Sequence, residues 1–120
     1  MQQMEQETKI CNVRVKYIRP RYQNLKEWCS DPNNVYIGRK GIVFIDGERY
    51  PKTDSIWANP YKIATCETAL ERYQTYISYR LENEPELKDQ LKFLKGKNLG
   101  CWCFPESCHG NILLELINKL

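Results

Sequence analysis

Leu99-Gly100-Cys101-Trp102-Cys103-Phe104-Pro105-Glu106-Ser107-Cys108-His109-Gly110 is the stretch on which the reading of this chain turns. Leu99 to Cys103 has the length and apolar character of a short strand, in which Cys101 and Cys103 share one face and Trp102 takes the other. Phe104 to Ser107, with Pro105 inside it, forms a tight loop. Beyond it Ile112, Leu113, Leu116, Ile117 and Leu120 recur at helical spacing, so a final helix is expected over Cys108–Leu120. Ser107 is available as its N-cap, which delivers Cys108 and His109 to the first turn. The first backbone N–H groups of a helix have no internal partners and its dipole is positive there, so this place favours a phosphate or carboxylate. The same field lowers the pKa of Cys108 and makes it the most reactive thiol expected in the chain.

Three readings of the unit stay open. As a nucleophile, Cys108 attacks an electrophilic carbon or phosphorus while His109, or a carboxylate from elsewhere, moves protons. As a metal site, Cys101, Cys103, Cys108 and His109 offer soft donors suited to zinc, and a better cage takes Cys103, Cys108 and a distant ligand such as Cys29 or Cys66. The C-x-C spacing of Cys101 and Cys103 is tighter than the usual C-x2-4-C, and two adjacent residues at a helix start rarely reach one ion together. In the third reading Cys101 and Cys103 are small core hydrophobes. Zinc is the one cofactor the residues suggest.

Outward from this unit, Val13, Val15 and Tyr17 alternate with Arg14 and Lys16, a period-2 pattern that predicts a strand over Asn12–Arg19. Pro20 to Asn34 reads as a long loop or short helix. Val35-Tyr36-Ile37 and Ile42-Val43-Phe44-Ile45 are strand-like, and Asp46-Gly47 is a tight-turn dipeptide before Glu48-Arg49-Tyr50, so a meander is expected. Ser55 to Tyr61 is an irregular connection, since Pro60 biases Asn59 away from helix. Ala69, Leu70, Tyr73, Tyr76, Ile77 and Leu81 mark a helix over Cys66–Glu82. A second runs over Glu86–Lys95, with Pro85 at its start and Gly96 as its left-handed stop. The fold expected is a single small α/β domain: a mixed sheet from the Val13, Tyr36, Val43 and Cys101 segments, covered by three helices. Residues 1–9, polar and without periodicity, read as a flexible tail, and residues 10–120 as the domain.

A chain of 120 residues holds one core. At 42% hydrophobic and 28% charged it is neither disordered nor collagen-like. No apolar run approaches the ~20 residues of a membrane span, and the start lacks the basic and apolar regions of a signal peptide. An intracellular, cytoplasmic chain is therefore expected, in the host cytoplasm if the protein is viral. There thiols are reduced, so six cysteines argue for packing, metal or reactivity rather than disulfides. A net charge of +3 permits a polyanionic partner without demanding one. Nothing in the sequence sets an oligomeric state.

The ordered blocks Val35-Tyr36-Ile37-Gly38-Arg39, Ile56-Trp57-Ala58-Asn59-Pro60-Tyr61, Glu71-Arg72-Tyr73 to Tyr76-Ile77, and Cys101-Trp102-Cys103 with Pro105 and Cys108-His109-Gly110 resemble a small domain family of unknown function. That family is found in bacteria, phages and large DNA viruses. The resemblance brings no activity with it and implies that the blocks belong to one site. A more distant likeness is to an uncharacterised α/β group with a Cys-His-Arg helix start, where Gly110 stands in place of the arginine.

Read physically, Gly38 permits close backbone approach, Arg39 is a planar bidentate donor for phosphate or carboxylate, and Asn59 offers a donor and an acceptor to a base or ribose. Trp57 and Tyr61 are either stacking surfaces or core anchors. The first expectation for function is a small ligand-binding domain or enzyme for a nucleotide, nucleoside or similar anionic metabolite. On this reading Cys108 and His109 are catalytic, and Gly38, Arg39, Trp57, Asn59, Cys103 and Gly110 contact the ligand. The alternatives are a zinc-stabilised nucleic-acid-binding module and a phage-type protein-interaction module. The former would use Arg14, Lys16, Arg19, Arg21, Arg39 and Lys40 on phosphates and Tyr17, Tyr22 and Tyr36 for stacking.

Overall fold

A computed structural model describes residues 7–60, 66–102 and 109–120, with the backbone alone for 66–68. In chain order it contains β1 (Lys9–Asn12), α1 (Val15–Ile18), α2 (Leu25–Ser30), β2 (Asn34–Tyr36), β3 (Val43–Ile45), β4 (Glu48–Tyr50), α3 (Cys66–Asn83), α4 (Pro85–Phe93), β5 (Asn98–Cys101) and α5 (His109–Asn118). The class is α/β, as expected. The parallel and antiparallel pairings foreseen for one mixed sheet are divided between two sheets. β1, β5 and β2 form a parallel sheet in that order, and β3 pairs with β4 as a separate antiparallel hairpin.

Strand alternation separates two cores. In the register Ile10↔Leu99↔Val35, side chains face a cluster of Ile37, Trp57, Tyr73, Ile77, Leu87, Leu91, Leu94, Leu99, Cys101, Leu113 and Ile117, built with α3, α4 and α5. The next row, Cys11↔Gly100↔Tyr36, faces the other way, onto Val13, Ile18, Leu25 and Trp28 with the hairpin residues Val43, Ile45 and Tyr50. The sheet is thus the middle of three layers. At its far end Asn98 and Asn34 face each other across the strands. The Asn98 amide donates to Asn34 Oδ1 at 2.8 Å, and the Asn34 amide donates to the Trp28 carbonyl at 2.9 Å.

Local signals act as expected at several places. Asp46 and Gly47 both have positive φ, 52° and 80°, the tight hairpin turn that such a dipeptide favours. Pro85 lies in the first turn of α4, and Gly96, at φ 82°, ends the segment after it.

Two expectations are corrected. The predicted strand over Asn12–Arg19 is a helical turn, because the Asn12 side chain accepts the Arg14 N–H at 3.0 Å and turns the chain out of the sheet. Val13 and Ile18 are buried while Val15 and Tyr17 point outward. The strand lies earlier, at Lys9–Asn12, and takes in residue 9, which is expected in the tail from sequence. Thr8 is buried with its hydroxyl accepting the Gly96 N–H at 2.7 Å, and Lys9 opens β1.

Candidate functional site

Parallel strands gather their carboxyl ends at one edge, where ligands of open α/β sheets sit. Here β2 runs out through Ile37, whose N–H still donates to the Gly100 carbonyl of β5 at 3.0 Å. The Ile37 carbonyl lies 2.7 Å from His109 Nε2 at the start of α5. A carbonyl can only accept, so Nε2 carries the hydrogen, and in the neutral ring Nδ1 is the acceptor nitrogen. Burial pushes the His109 pKa down, the Ile37 hydrogen bond opposes this, and the positive charge of Arg39 lowers it further. Arg39 and His109 therefore feel each other electrostatically.

The remaining blocks join through Tyr73 and Arg39. Tyr73, fully buried on α3, meets the His109 ring edge to face at 5.1 Å and donates its hydroxyl to the Trp57 carbonyl at 2.7 Å. Arg39 Nε donates to the Asn59 carbonyl at 2.9 Å, and the Asn59 amide donates to the Ala69 carbonyl at 3.4 Å. Beside these bonds lies a cleft of about 230 Å³ lined by Arg39, Asp54, Ser55, Asn59, Tyr76 and Arg80 among others.

Of the residues singled out from sequence, Arg39, Asn59 and His109 fall in this region. Trp57 is 3% exposed and packs in the main core, so it is an anchor of the loop and offers no face for stacking. The space above Gly38 is filled by the Tyr36 ring and hydroxyl, which a Cβ would strike, so the close approach permitted by the glycine is made by Tyr36. That hydroxyl donates to the Arg39 carbonyl at 2.8 Å and accepts Trp102 Nε1–H at 2.8 Å. Gly110 is buried in the first turn of α5. Cys103 and Cys108 lie outside the described residues.

Among the described residues no three His, Cys, Asp or Glu side chains converge as a metal site. Cys29 belongs to the core on the other face of the sheet from Tyr73 and His109. Burial pushes the thiols of Cys11 and Cys29 up.

Arg80 is not singled out from sequence, and Tyr76 enters there only as a helix marker and as part of the Tyr76-Ile77 block. Arg80 binds the Glu84 carboxylate with Nε at 2.9 Å and Nη2 at 3.2 Å. Its Nη1 also reaches the Ile56 carbonyl at 3.0 Å and the Tyr76 hydroxyl at 3.2 Å, which turns it toward the cleft. The helical spacing of Tyr76 and Arg80, i and i+4, was the available signal.

One prediction concerns pH. The chain has a single histidine, so a side-chain titration that changes stability between about pH 5 and 6.5 belongs to His109. Its folded pKa lies below the ordinary value of 6.5, so the unfolded chain binds the proton first as pH falls. Stability is then full above pH 6.5 and declines below it, at a slope of at most about 1.4 kcal/mol per pH unit, the one-proton limit. Urea midpoints at pH 7.5 and 5.5 measure this. His109→Gln, which keeps a donor for Ile37 and cannot titrate, is expected to flatten the difference.

No helix in the described residues is long and apolar enough to cross a membrane. No solved structure matches the chain. Among curated proteins it is similar to an "Uncharacterized 12.4 kDa protein in nrdA-td intergenic region" of Enterobacteria phage T4, 35% identical over 54 residues. The match takes in 45% of this chain and 50% of that protein, so the chain spans about half the length of its relative. A family model matches residues 20–119, from the turn before α2 to the end of α5, and the chain accordingly belongs to the family described as a domain of unknown function, DUF4326.

Proposed function

We propose that the chain binds a small anionic metabolite, of the nucleotide or nucleoside class, at the carboxyl edge of the parallel sheet. The observation that carries the reading is the hydrogen-bonded linkage of sequence blocks 20 to 72 residues apart, His109 to Ile37 and Arg39 to Asn59, beside a cleft that two arginines line. A core needs apolar fit, and it does not need two guanidinium groups and an amide lining one cleft. Arg39 supplies charge and planar donors to a phosphate or carboxylate, Asn59 serves a base or ribose edge, and Tyr76 and Ser55 add hydroxyls. The cleft is smaller than the roughly 300 Å³ at which drug-sized pockets begin, so it suits the anionic end of the ligand rather than a whole nucleotide.

In this reading His109 Nδ1 is the proton acceptor, because Nε2 is committed to Ile37. Cys108, the residue before it in sequence, is the thiol to examine as nucleophile. Calorimetric titration with nucleoside mono- and triphosphates, nucleosides and inorganic phosphate tests the site. Arg39→Ala is expected to weaken binding by about 10- to 150-fold, the worth of a charge-assisted hydrogen bond. Bound ligand is expected to slow alkylation of Cys108 by iodoacetamide. Absence of binding across the panel, or binding unchanged in Arg39→Ala, would sink the reading.

A further inference from the structure

The positive charge of this chain is concentrated in one part of it. Residues 9–52 carry ten lysines and arginines against four acids, a net +6, while the rest of the chain carries eight against eleven. That basic part surrounds a cleft of about 630 Å³ between α1, α2 and the β3–β4 hairpin, which neither Arg80 nor α3 lines. Arg14, Arg19 and Asn24 line it together with Val15, Ile42, Phe44 and Trp102, and Asp46 is the one acid in the lining among the described residues. Among the described residues neither Arg14 nor Arg19 forms an ion pair. The lip is unusually apolar for a charged surface: Val15, Ile42 and Phe44 are 45%, 46% and 67% exposed. Arg49 lies over the Phe44 ring at 4.7 Å. Next to the cleft, Tyr17 is 55% exposed with Lys16 Nζ at 5.0 Å from its ring.

We infer that this cleft is a binding surface for single-stranded nucleic acid. Exposed rings interleaved with guanidinium and ammonium groups are the combination that such a strand uses, bases against the rings and phosphates against the cations. The volume admits about one to two nucleotides, and the excess charge extends along the chain on both sides of the cleft. A duplex keeps its base faces stacked inside and offers none to the exposed Phe44 ring, so the strand must be single. This surface is separate from the metabolite site: its cations are Arg14, Arg19 and Arg49, where the other uses Arg39 and Arg80.

Fluorescence anisotropy with a labelled 15-mer of deoxythymidine and one of uridine, over a range of salt concentrations, decides the matter. All three substituted residues are at the surface, and equal thermal melts confirm that the variants fold. In Arg14→Ala/Arg19→Ala the slope of log affinity against log salt is expected to fall by about 1.4, about 0.7 for each phosphate no longer neutralised. Phe44→Ala is expected to lower affinity about 5- to 150-fold, the range of one base–ring stack, with the salt slope unchanged. No binding of either oligonucleotide at low salt overturns the inference. So does binding lost in Arg39→Ala and kept in the Arg14/Arg19 variant, or displacement by polyglutamate at equal charge, which would point to an acidic protein partner instead.

Discussion

Gly100→Ala is expected to lower stability by about 3 kcal/mol, near the top of the usual overpacking range. Gly100 sits at the centre of the sheet, with Cys11 and Tyr36 in register on either side. An added Cβ would lie 2.5 Å from Trp28 Cη2, 2.7 Å from Trp28 Cζ3 and 2.7 Å from Val13 Cγ1. Both neighbours are locked, Trp28 at 3% exposure and Val13 at 1%, so neither can swing into solvent. The sheet backbone must shift or the indole must leave, and either loosens the layer that holds α2. The midpoint of urea unfolding reads the loss, with an unchanged slope showing that native compactness is kept. Trp28→Phe, which removes the offending ring edge, is expected to recover part of the loss in the double variant, giving a coupling that independent sites lack. A fully stable Gly100→Ala would mean that the indole does not cover the strand.

Trp57→Ala is expected to cost about 3–5 kcal/mol, the range for an aromatic ring removed from a core. Its loop has no regular structure, so the ring is what fixes the loop against Tyr73, Ile77 and the rest of the main core. The same residue's carbonyl accepts the buried Tyr73 hydroxyl, and displacement of the loop would leave that donor unsatisfied. Ile56, the residue before it, is 47% exposed, and Ile56→Ala is expected to stay within about 0.5 kcal/mol. Thermal unfolding of the two variants side by side checks whether the loop is held by one ring. If the metabolite site includes this loop, Trp57→Ala also weakens ligand binding, since Asn59 travels with it.

The parts of the fold written in short-range chemistry were legible. Asp46-Gly47, Pro85 and Gly96 each dictate a backbone angle, and the helical spacing from Ala69 to Leu81 marks α3 whatever it packs against. The strands were harder because their partners are remote. β1 is a four-residue edge strand whose sequence, Lys9-Ile10-Cys11-Asn12, shows too short an alternation to stand out. The more regular Val13-Arg14-Val15-Lys16-Tyr17 pattern drew the prediction instead, and the Asx turn at Asn12 overruled it. Membership of the hairpin in the main sheet failed for a related reason, since nothing local to Val43 says which strand it will meet. At the candidate site, the sequence blocks that carry the family resemblance and the donor chemistry of their side chains were a usable signal for Arg39, Asn59 and His109. Size misled at Trp57 and Gly38, where a ring and a missing Cβ serve packing rather than recognition.

β5 is the strand that touches both others, and it is made last. Until residues 98–101 have been synthesised, β1 and β2 have the two sides of a ladder without its middle rung, separated by the width of a missing strand. The segments before β5 can form helices and the hairpin, which close over short sequence distances, yet they cannot assemble the sheet that separates the two cores. Assembly therefore waits until β5 has been synthesised, and sheet formation becomes a collective event in which β1, β2 and β5 lock together at once.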